Sequence, residues 1–456
     1  MEKRYYSEPK KVLPIVEDVD VLVVGGGPAG VPAAIGAARA GAKTMIIERL
    51  GSFGGMWTNG LVISLAGFNN WLRPYQRVVK GATEEWIIEA EKLGGVENNR
   101  SWVLSSDPEI MKLVADRMLD QAGVQCLLHS WVADVIVEEG VLKGVIVENV
   151  DGRTVVLAKQ IVDCSGNGDV FARANEAHHV SDQLQPMTLP FFLADFEKNS
   201  ELDYEDELIV PMGPEPGYLD EYLLKTYTSR RRDVAIDRDQ LHKAAANNEI
   251  PLFGGPWFGG LRTRFPWVNT TRLYGSAIKS KDITRAEMEG RENVYQIVKY
   301  YQGNCPGFEN AWVMKTASTM GVRETRRLDG VYTLSGQDIH ENKKFDDAIA
   351  LGTWPIDVHP PKGETGMHKM YVPLPFQIPY RTLLPKQIDN LLVAGRCIST
   401  DREAMGSIRV GATCGALGHA AGIAAALCVQ QEVSPRNLDV AGLQAAIVAQ
   451  NGIIEL

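Results

Sequence analysis

Residues 20–48 admit very few folds. Asp20-Val21-Leu22-Val23-Val24 is an apolar run that ends in Gly25-Gly26-Gly27-Pro28-Ala29-Gly30, and a stretch of small residues continues to Gly41. That order predicts a strand, a tight turn and a helix closed by glycine. The spacing Gly25-x-Gly27-x-x-Gly30 assigns each glycine a task. Gly25 makes the turn, Gly27 lets backbone N–H groups reach a pyrophosphate, and Gly30 lets helix lie close on strand, with Pro28 and Ala29 between them. A second apolar run, Thr44-Met45-Ile46-Ile47, ends in Glu48, where a carboxylate can accept hydrogen bonds from a ribose. The segment therefore predicts an α/β fold with a dinucleotide at the carboxyl ends of parallel strands.

The chain has 456 residues, too many for one simple core, so two connected domains are expected. A formal net charge of −10 argues against a nucleic-acid partner. The start, Met1 to Glu8, has no apolar signal region, and no later run reads as a bilayer span, so a cytoplasmic protein is expected. Six cysteines lie far apart with no CxxC pair, which reads as reduced, mostly buried thiols and excludes a dithiol–disulfide mechanism. No metal-ligand spacing stands out.

Residues 1–18, with Pro9 and Pro14, read as an exposed lead-in. After Glu48 and Arg49 comes Gly54-Gly55-Met56-Trp57-Thr58, a loop whose glycines and large apolar residues suit a wall against a cofactor. Helices are expected over 83–93 and 108–121, the second with Asp107 at its N-cap and Pro108 at its first position. A strand over 124–128 and alternating strands over 132–138, 142–148 and 154–158 follow, turning at Asp151-Gly152-Arg153. They predict a small antiparallel insertion in a parallel fold. Another apolar strand, 160–163, runs into Ser165-Gly166-Asn167-Gly168-Asp169, a second place for close backbone approach.

From 181 to 370 aromatic residues, prolines and charges mix. The acidic run 201–207 and Arg230-Arg231-Arg232 read as solvated surface. Residues 253–274 interleave Trp257, Phe265 and Trp267 with Arg262, Arg264 and Arg272, which suits either a pocket wall for a polar organic molecule or a hairpin core. A long helix is expected over 282–302, capped by Asp282. Gly321 to Leu328 is either a salt-bridged structural element or the carrier of an anion-facing Arg323. Asp357-Val358-His359 sets an imidazole beside a carboxylate, so His359 is a candidate general base. The strand 388–394 ends in Gly395-Arg396. The helix from Gly411 is dense in glycine and alanine, as if its backbone had to lie close to something flat, with its positive end toward a reducible ring.

Together these segments resemble the two-dinucleotide-binding-domain flavoproteins of the glutathione-reductase type and, more narrowly, the FAD-dependent oxidoreductase family. The resemblance covers nearly the whole chain, through Gly25–Gly30 with Glu48, 54–62, 163–169, 321–327, and 379–410. It implies a Rossmann-like FAD-binding domain (residues 19–180 and 371–456) around an α+β substrate domain (181–370). It implies FAD against Gly25, Gly27, Pro28, Ala29, Gly30, Glu48, Arg49, Gly54, Gly55, Met56, Thr58, Val132, Ser165, Gly166, Asp169, Gly395, Arg396, Arg409, Gly411 and Ala412; a non-covalent flavin is favoured, although His178 and His179 are available for a covalent link. Two motifs depart from the family pattern. Ser165 and Asn167 stand in a turn that usually reads Thr-Gly-Asp-Gly-Asp, and Arg402 stands where members tend to carry histidine.

The expected chemistry is hydride transfer between a small, polar, anionic organic substrate and the flavin N5, with the dehydrogenase or oxidase direction favoured. His359 would be the base, with Arg323, Arg402 and Arg409 as anion holders. Reduction of an activated C=C bond and flavin monooxygenation are the alternatives, RNA modification a weaker one. The electron acceptor is unassigned, and homo-oligomerisation is left open.

Overall fold

The computed structural model describes residues 5–72, 74–97, 103–197, 215–219, 230–231, 234–259, 266–360, 362 and 370–456. The acidic run 201–207, Arg232, Arg262, Arg264 and Phe265 lie outside them.

The apolar runs assemble into one seven-stranded sheet. Strands β1 (Ile15–Val24), β2 (Thr44–Ile47), β3 (Gln125–Leu127), β4 (Trp131–Glu138), β5 (Val141–Asn149) and β6 (Gly152–Asp163) lie in the order β3-β2-β1-β6-β5-β4. Strand β7 (Leu391–Val393) pairs with the far end of β6. Five strands, β3-β2-β1-β6-β7, are parallel, with Val23 opposite Val162 and Val162 opposite Leu392. Strands β4, β5 and the first half of β6 form the expected antiparallel insertion.

Two expectations are corrected here. The strands expected over 154–158 and 160–163 are one continuous strand, because Lys159 between them is simply an outward position in the alternation. The lead-in ends at Ile15, because β1 reaches back to pair Ile15 with Val155 of β6. Of the crossover helices, α1 (Gly30–Arg39) joins β1 to β2. Helix α2 (Pro108–Gln121) precedes β3, and the Asp107 side chain accepts the Glu109 N–H at 2.8 Å.

The chain's last long helix, α3 (Gly411–Gln431), corrects two expectations. It is long and apolar enough to cross a bilayer, although no such run was expected. Its residues are apolar all round because they are buried all round, between α1, the sheet and the strand Ala348–Gly352. Its glycines Gly418 and Gly422 serve a helix crossing rather than a flat ligand. A Cβ on Gly418 would stand 1.9 Å from the Ala29 carbonyl oxygen, and one on Gly422 1.9 Å from that of Ala33.

A second core lies in the antiparallel sheet ordered Phe253–Gly259, Trp267–Thr271, Phe191–Ala194, Trp312–Thr316, packed against helix Ser280–Asn304. That helix starts two residues earlier than expected, after Lys279. The Asp282 carboxylate accepts the Ser276 N–H at 3.0 Å and so ties down the preceding turn instead of capping the helix. Residues Leu328, Leu334, Ile349 and Ile356, which the sequence placed with the cap, bury themselves in the large core.

Two stability predictions follow from this packing. Gly418→Val drives a side chain into backbone and should cost more than about 2 kcal/mol, as overpacking does. Gly303→Ala, on the same assay, meets nothing within 4 Å and should be neutral or stabilising by up to about 1 kcal/mol. Thermal unfolding compares the two. His419 is buried against Gly81, hydrogen-bonded to Gln450 at 3.0 Å, and burial lowers its pKa to about 4. The unfolded chain protonates this histidine first, so its contribution is complete above about pH 6.5 and is lost as pH falls toward 4. In urea titrations His419→Gln should flatten that part of the stability–pH curve.

Candidate active site

The carboxyl ends of β1, β2, β6 and β7 open into one cavity of about 900 Å³. This is where an open α/β sheet places its ligand. Its first wall is the turn after β1. Gly25 has φ +100°, and a Cβ there would lie 2.6 Å from the Cys164 carbonyl oxygen. A Cβ on Gly30 would lie 1.7 Å from the Gly25 oxygen, so strand, turn and helix are in contact. Gly27 differs, since a Cβ on it would meet only Gly55 Cα, at 4.0 Å. The absent side chain at Gly27 leaves room on the cavity side, beside Pro28 and Ala29.

Glu48 is buried at this end. The Gly26 N–H donates to its Oε2 at 2.7 Å and the Leu50 N–H to its Oε1 at 2.9 Å, so the carboxylate also braces the turn. Arg49 lies over the Trp131 ring at 5.2 Å. Val132, expected here, points into the core, and its neighbour Trp131 lines the cavity instead. Strand alternation puts adjacent residues on opposite faces, which explains the one-residue error.

The loop after β2 divides its labour. Gly54 has φ +102° and donates its N–H to Gly26 O at 2.8 Å, and the Thr58 hydroxyl donates to Phe53 O at 2.7 Å. These two hold the loop from behind, while Gly55 and Met56 face the cavity. Ser165, Gly166, Asn167 and Asp169 line the opposite side. Their turn is built on buried Asp163, which accepts from Ser165 Oγ at 2.6 Å and from the N–H groups of Val170 and Phe171 at 2.9 and 3.1 Å. Arg396 donates from Nη2 to Asn167 Oδ1 at 2.8 Å, next to Gly395. Its Nε is buried without a partner among the described residues. Gly411 lines the wall because any larger residue would strike the Trp57 indole, whereas Ala412 and Gly30 sit just behind the wall.

The far end brings together residues from distant parts of the chain: Arg272, Arg323, Asp357, His359 and Arg409. Asp357 Oδ2 takes Arg409 Nη2 at 2.7 Å and His359 Nε2 at 3.3 Å. Arg323 donates from Nη1 to Pro186 O at 2.6 Å. Burial drives His359 well below its ordinary pKa and the neighbouring Arg272 and Arg323 push the same way, so the ring is neutral. Burial alone would raise the Asp357 pKa, but the charges of Arg409 and Arg323 and the hydrogen bond from neutral His359 outweigh it and hold the carboxylate ionised. Burial also lowers Arg272, to about 10. Tryptophans 71, 257, 267 and 354 form the apolar walls.

The Gly321–Arg327 segment is a salt-bridged element that also carries an arginine to the cavity. Arg327 pairs with buried Glu324 at 2.5 Å as a structural bridge, while Arg323 faces the cavity. Arg402 does not join it. This side chain lies outside the cavity wall and donates from Nη2 to Gln183 O at 3.1 Å. Asp357, read from the Asp-x-His spacing as the neighbour of His359, also meets Arg409, and Trp71 lines the cavity with no sequence signal of its own.

A family model described as FAD dependent oxidoreductase matches residues 20–447. The chain belongs to the FAD-dependent oxidoreductase family. It is an enzyme and its cofactor is FAD. The cavity fits that group. The room at Gly27, the free Arg396 Nε and the uncapped first turns of α1 and α3 suit a pyrophosphate and a ring that gains negative charge. A thiamine thiazole synthase of Methanococcus maripaludis is 32% identical over 163 residues, which is 33% of this chain and 58% of that protein. The chain thus spans a little over half the length of that relative. A flavoprotein/dehydrogenase from Cytophaga hutchinsonii has 13% identity and a TM-score of 0.48 over 95% of this chain and 86% of that one. A geranylgeranyl bacteriochlorophyll reductase-like protein from Thermoplasma acidophilum has 13% identity and a TM-score of 0.46, over 96% and 84%.

Two substitutions test the FAD site. Gly27→Ala fills space that no other described residue occupies, so it should weaken FAD binding at least tenfold and leave the apoprotein's melting temperature nearly unchanged. Arg396→Gln should lower FAD affinity by about 1.5–3 kcal/mol, the usual worth of a charged hydrogen bond. Quenching of flavin fluorescence on titration measures both.

Proposed function

We propose that this enzyme oxidises a small anionic organic molecule, taking hydride from one of its C–H bonds while His359 receives a proton. FAD supplies the two-electron acceptor, N5 of its ring system. The observation that carries the reading is the Arg272–Arg323–Arg409 wall with a neutral His359 beside it, at the end of the cavity away from the ADP-binding turn. The arginines hold the substrate's anionic group. Nε2 of His359 is engaged by Asp357, so Nδ1 is the atom that accepts a proton. Burial keeps that atom unprotonated at neutral pH. Asp357 orients the ring and stabilises the imidazolium that forms.

On this reading the FAD-binding part is of the glutathione-reductase type, supported by five parallel strands with an antiparallel insertion before the fourth. FAD is bound without a covalent link, so acid precipitation should release all the flavin. The substrate domain covers the ring, and dioxygen, a quinone, NAD(P) or a protein takes the electrons away. The activity needs no nucleic acid or membrane partner.

Anaerobic mixing of the oxidised holoenzyme with a panel of hydroxy-, amino- and saturated carboxylates tests the direction. Bleaching of the flavin by one of them, and not by NADH, is expected. Rapid bleaching by NADH alone would instead favour reduction of a C=C bond. His359→Asn should slow substrate-driven bleaching by about 10²–10⁴. The rate should fall on acidification only below about pH 6.5, since burial depresses the pKa of the base. Asp357→Asn removes the charge that raises that pKa, so its acid limb should move to still lower pH.

A further inference from the structure

The arginine end of the cavity carries more positive charge than its protein neighbours balance. Among the described residues lining it, three guanidiniums face one carboxylate, Asp357. Arg272 and Arg323 are only 6% and 8% exposed. Asp357 spends Oδ2 on both Arg409 and His359. Arg323 reaches only a neutral carbonyl with Nη1, and Arg409 Nε is buried without a partner among the described residues. Behind Arg272, the charge of Arg238 is offset by Asp239. His359 is neutral and contributes nothing to the balance. Burying uncompensated cations is strongly unfavourable unless a bound anion answers them. Two positive charges therefore await a ligand, on arginines that come from three separate segments of the chain.

The cavity these arginines line also has apolar walls, with Trp71, Trp257, Trp267 and Trp354 among them. We propose that the substrate is a dicarboxylate, its two carboxylates shared among Arg272, Arg323 and Arg409 and its carbon chain laid against the tryptophans. The planar guanidinium matches the planar carboxylate in two parallel hydrogen bonds. A carboxylate next to the reacting carbon also acidifies the C–H whose proton His359 removes, which a phosphate ester does not do. This proposal rests on the anion-site reading above and names its ligand.

The test is a titration of the oxidised FAD-loaded enzyme, read by the shift it causes in flavin absorbance. Malonate, succinate and glutarate are compared with acetate, propionate and butyrate, and with inorganic phosphate and glycerol 3-phosphate. At least one dicarboxylate should bind tenfold or more tightly than the monocarboxylates, and Arg323→Gln should abolish that preference while Arg323→Lys retains part of it. Monocarboxylates binding as tightly as dicarboxylates would overturn the dianion proposal and leave the anion site standing. Phosphates binding tightest would overturn it in the same way. If no anion perturbs the flavin, the anion-site reading itself fails and the proposal with it. The wild-type series decides among these outcomes even if Arg323→Gln does not fold.

Discussion

Everything in this enzyme depends on how closely α3 lies on α1. Gly418 and Gly422 meet the carbonyls of Ala29 and Ala33, and Gly36 meets the backbone of His419. Backbone against backbone leaves little freedom of angle or register, because close-packed interiors do not deform smoothly. The crossing therefore sets the first turns of both helices at one cavity. Both turns are free of side-chain caps, so both present N–H groups there. The helix crossing and the cofactor site are one piece of construction, and the many glycines serve the first in order to make the second.

The two ends of the cavity follow different electrostatic rules. At the end lined by Gly25 and Glu48, charged groups are braced by polar ones: Glu48 by the Gly26 and Leu50 amides, Arg396 by Asn167. Where the family turn usually has Asp, Asn167 satisfies an arginine proton without cancelling its charge. At the other end, Arg272, Arg323 and Arg409 gather around Asp357, and burial, helped by Arg272 and Arg323, keeps His359 neutral. A neutral imidazole near fixed cations is a base that is ready to act at neutral pH and that becomes easier to protonate once an anion is bound.

The parts legible in the sequence were those written locally. Apolar runs, the Gly25–Gly30 spacing, the Asp107-Pro108 cap and the Asp151-Gly152 turn each place their own few residues, and the parallel sheet, its antiparallel insertion and the family emerge from their order. Errors arose where a residue's role depends on distant neighbours. Val132 was named where Trp131 lines the cavity, because a strand pattern does not say which face will meet the ligand. Arg402 was named for the site on its place in a motif, yet its guanidinium turns to Gln183. The glycine density of α3 suggests a flat ligand, whereas Gly418 and Gly422 fit the carbonyls of α1.

By itself, then, the sequence determined the dinucleotide-binding unit, because strand, turn and helix there are contiguous and every glycine has a steric task. Only the tertiary structure decided which cations share a wall. Arg272, Arg323, Asp357 and Arg409 are spread over more than a hundred residues, and their meeting is a result of packing the second core against the sheet. Charge acts through space, so neither the neutrality of His359 nor the unbalanced arginines can be read along the chain.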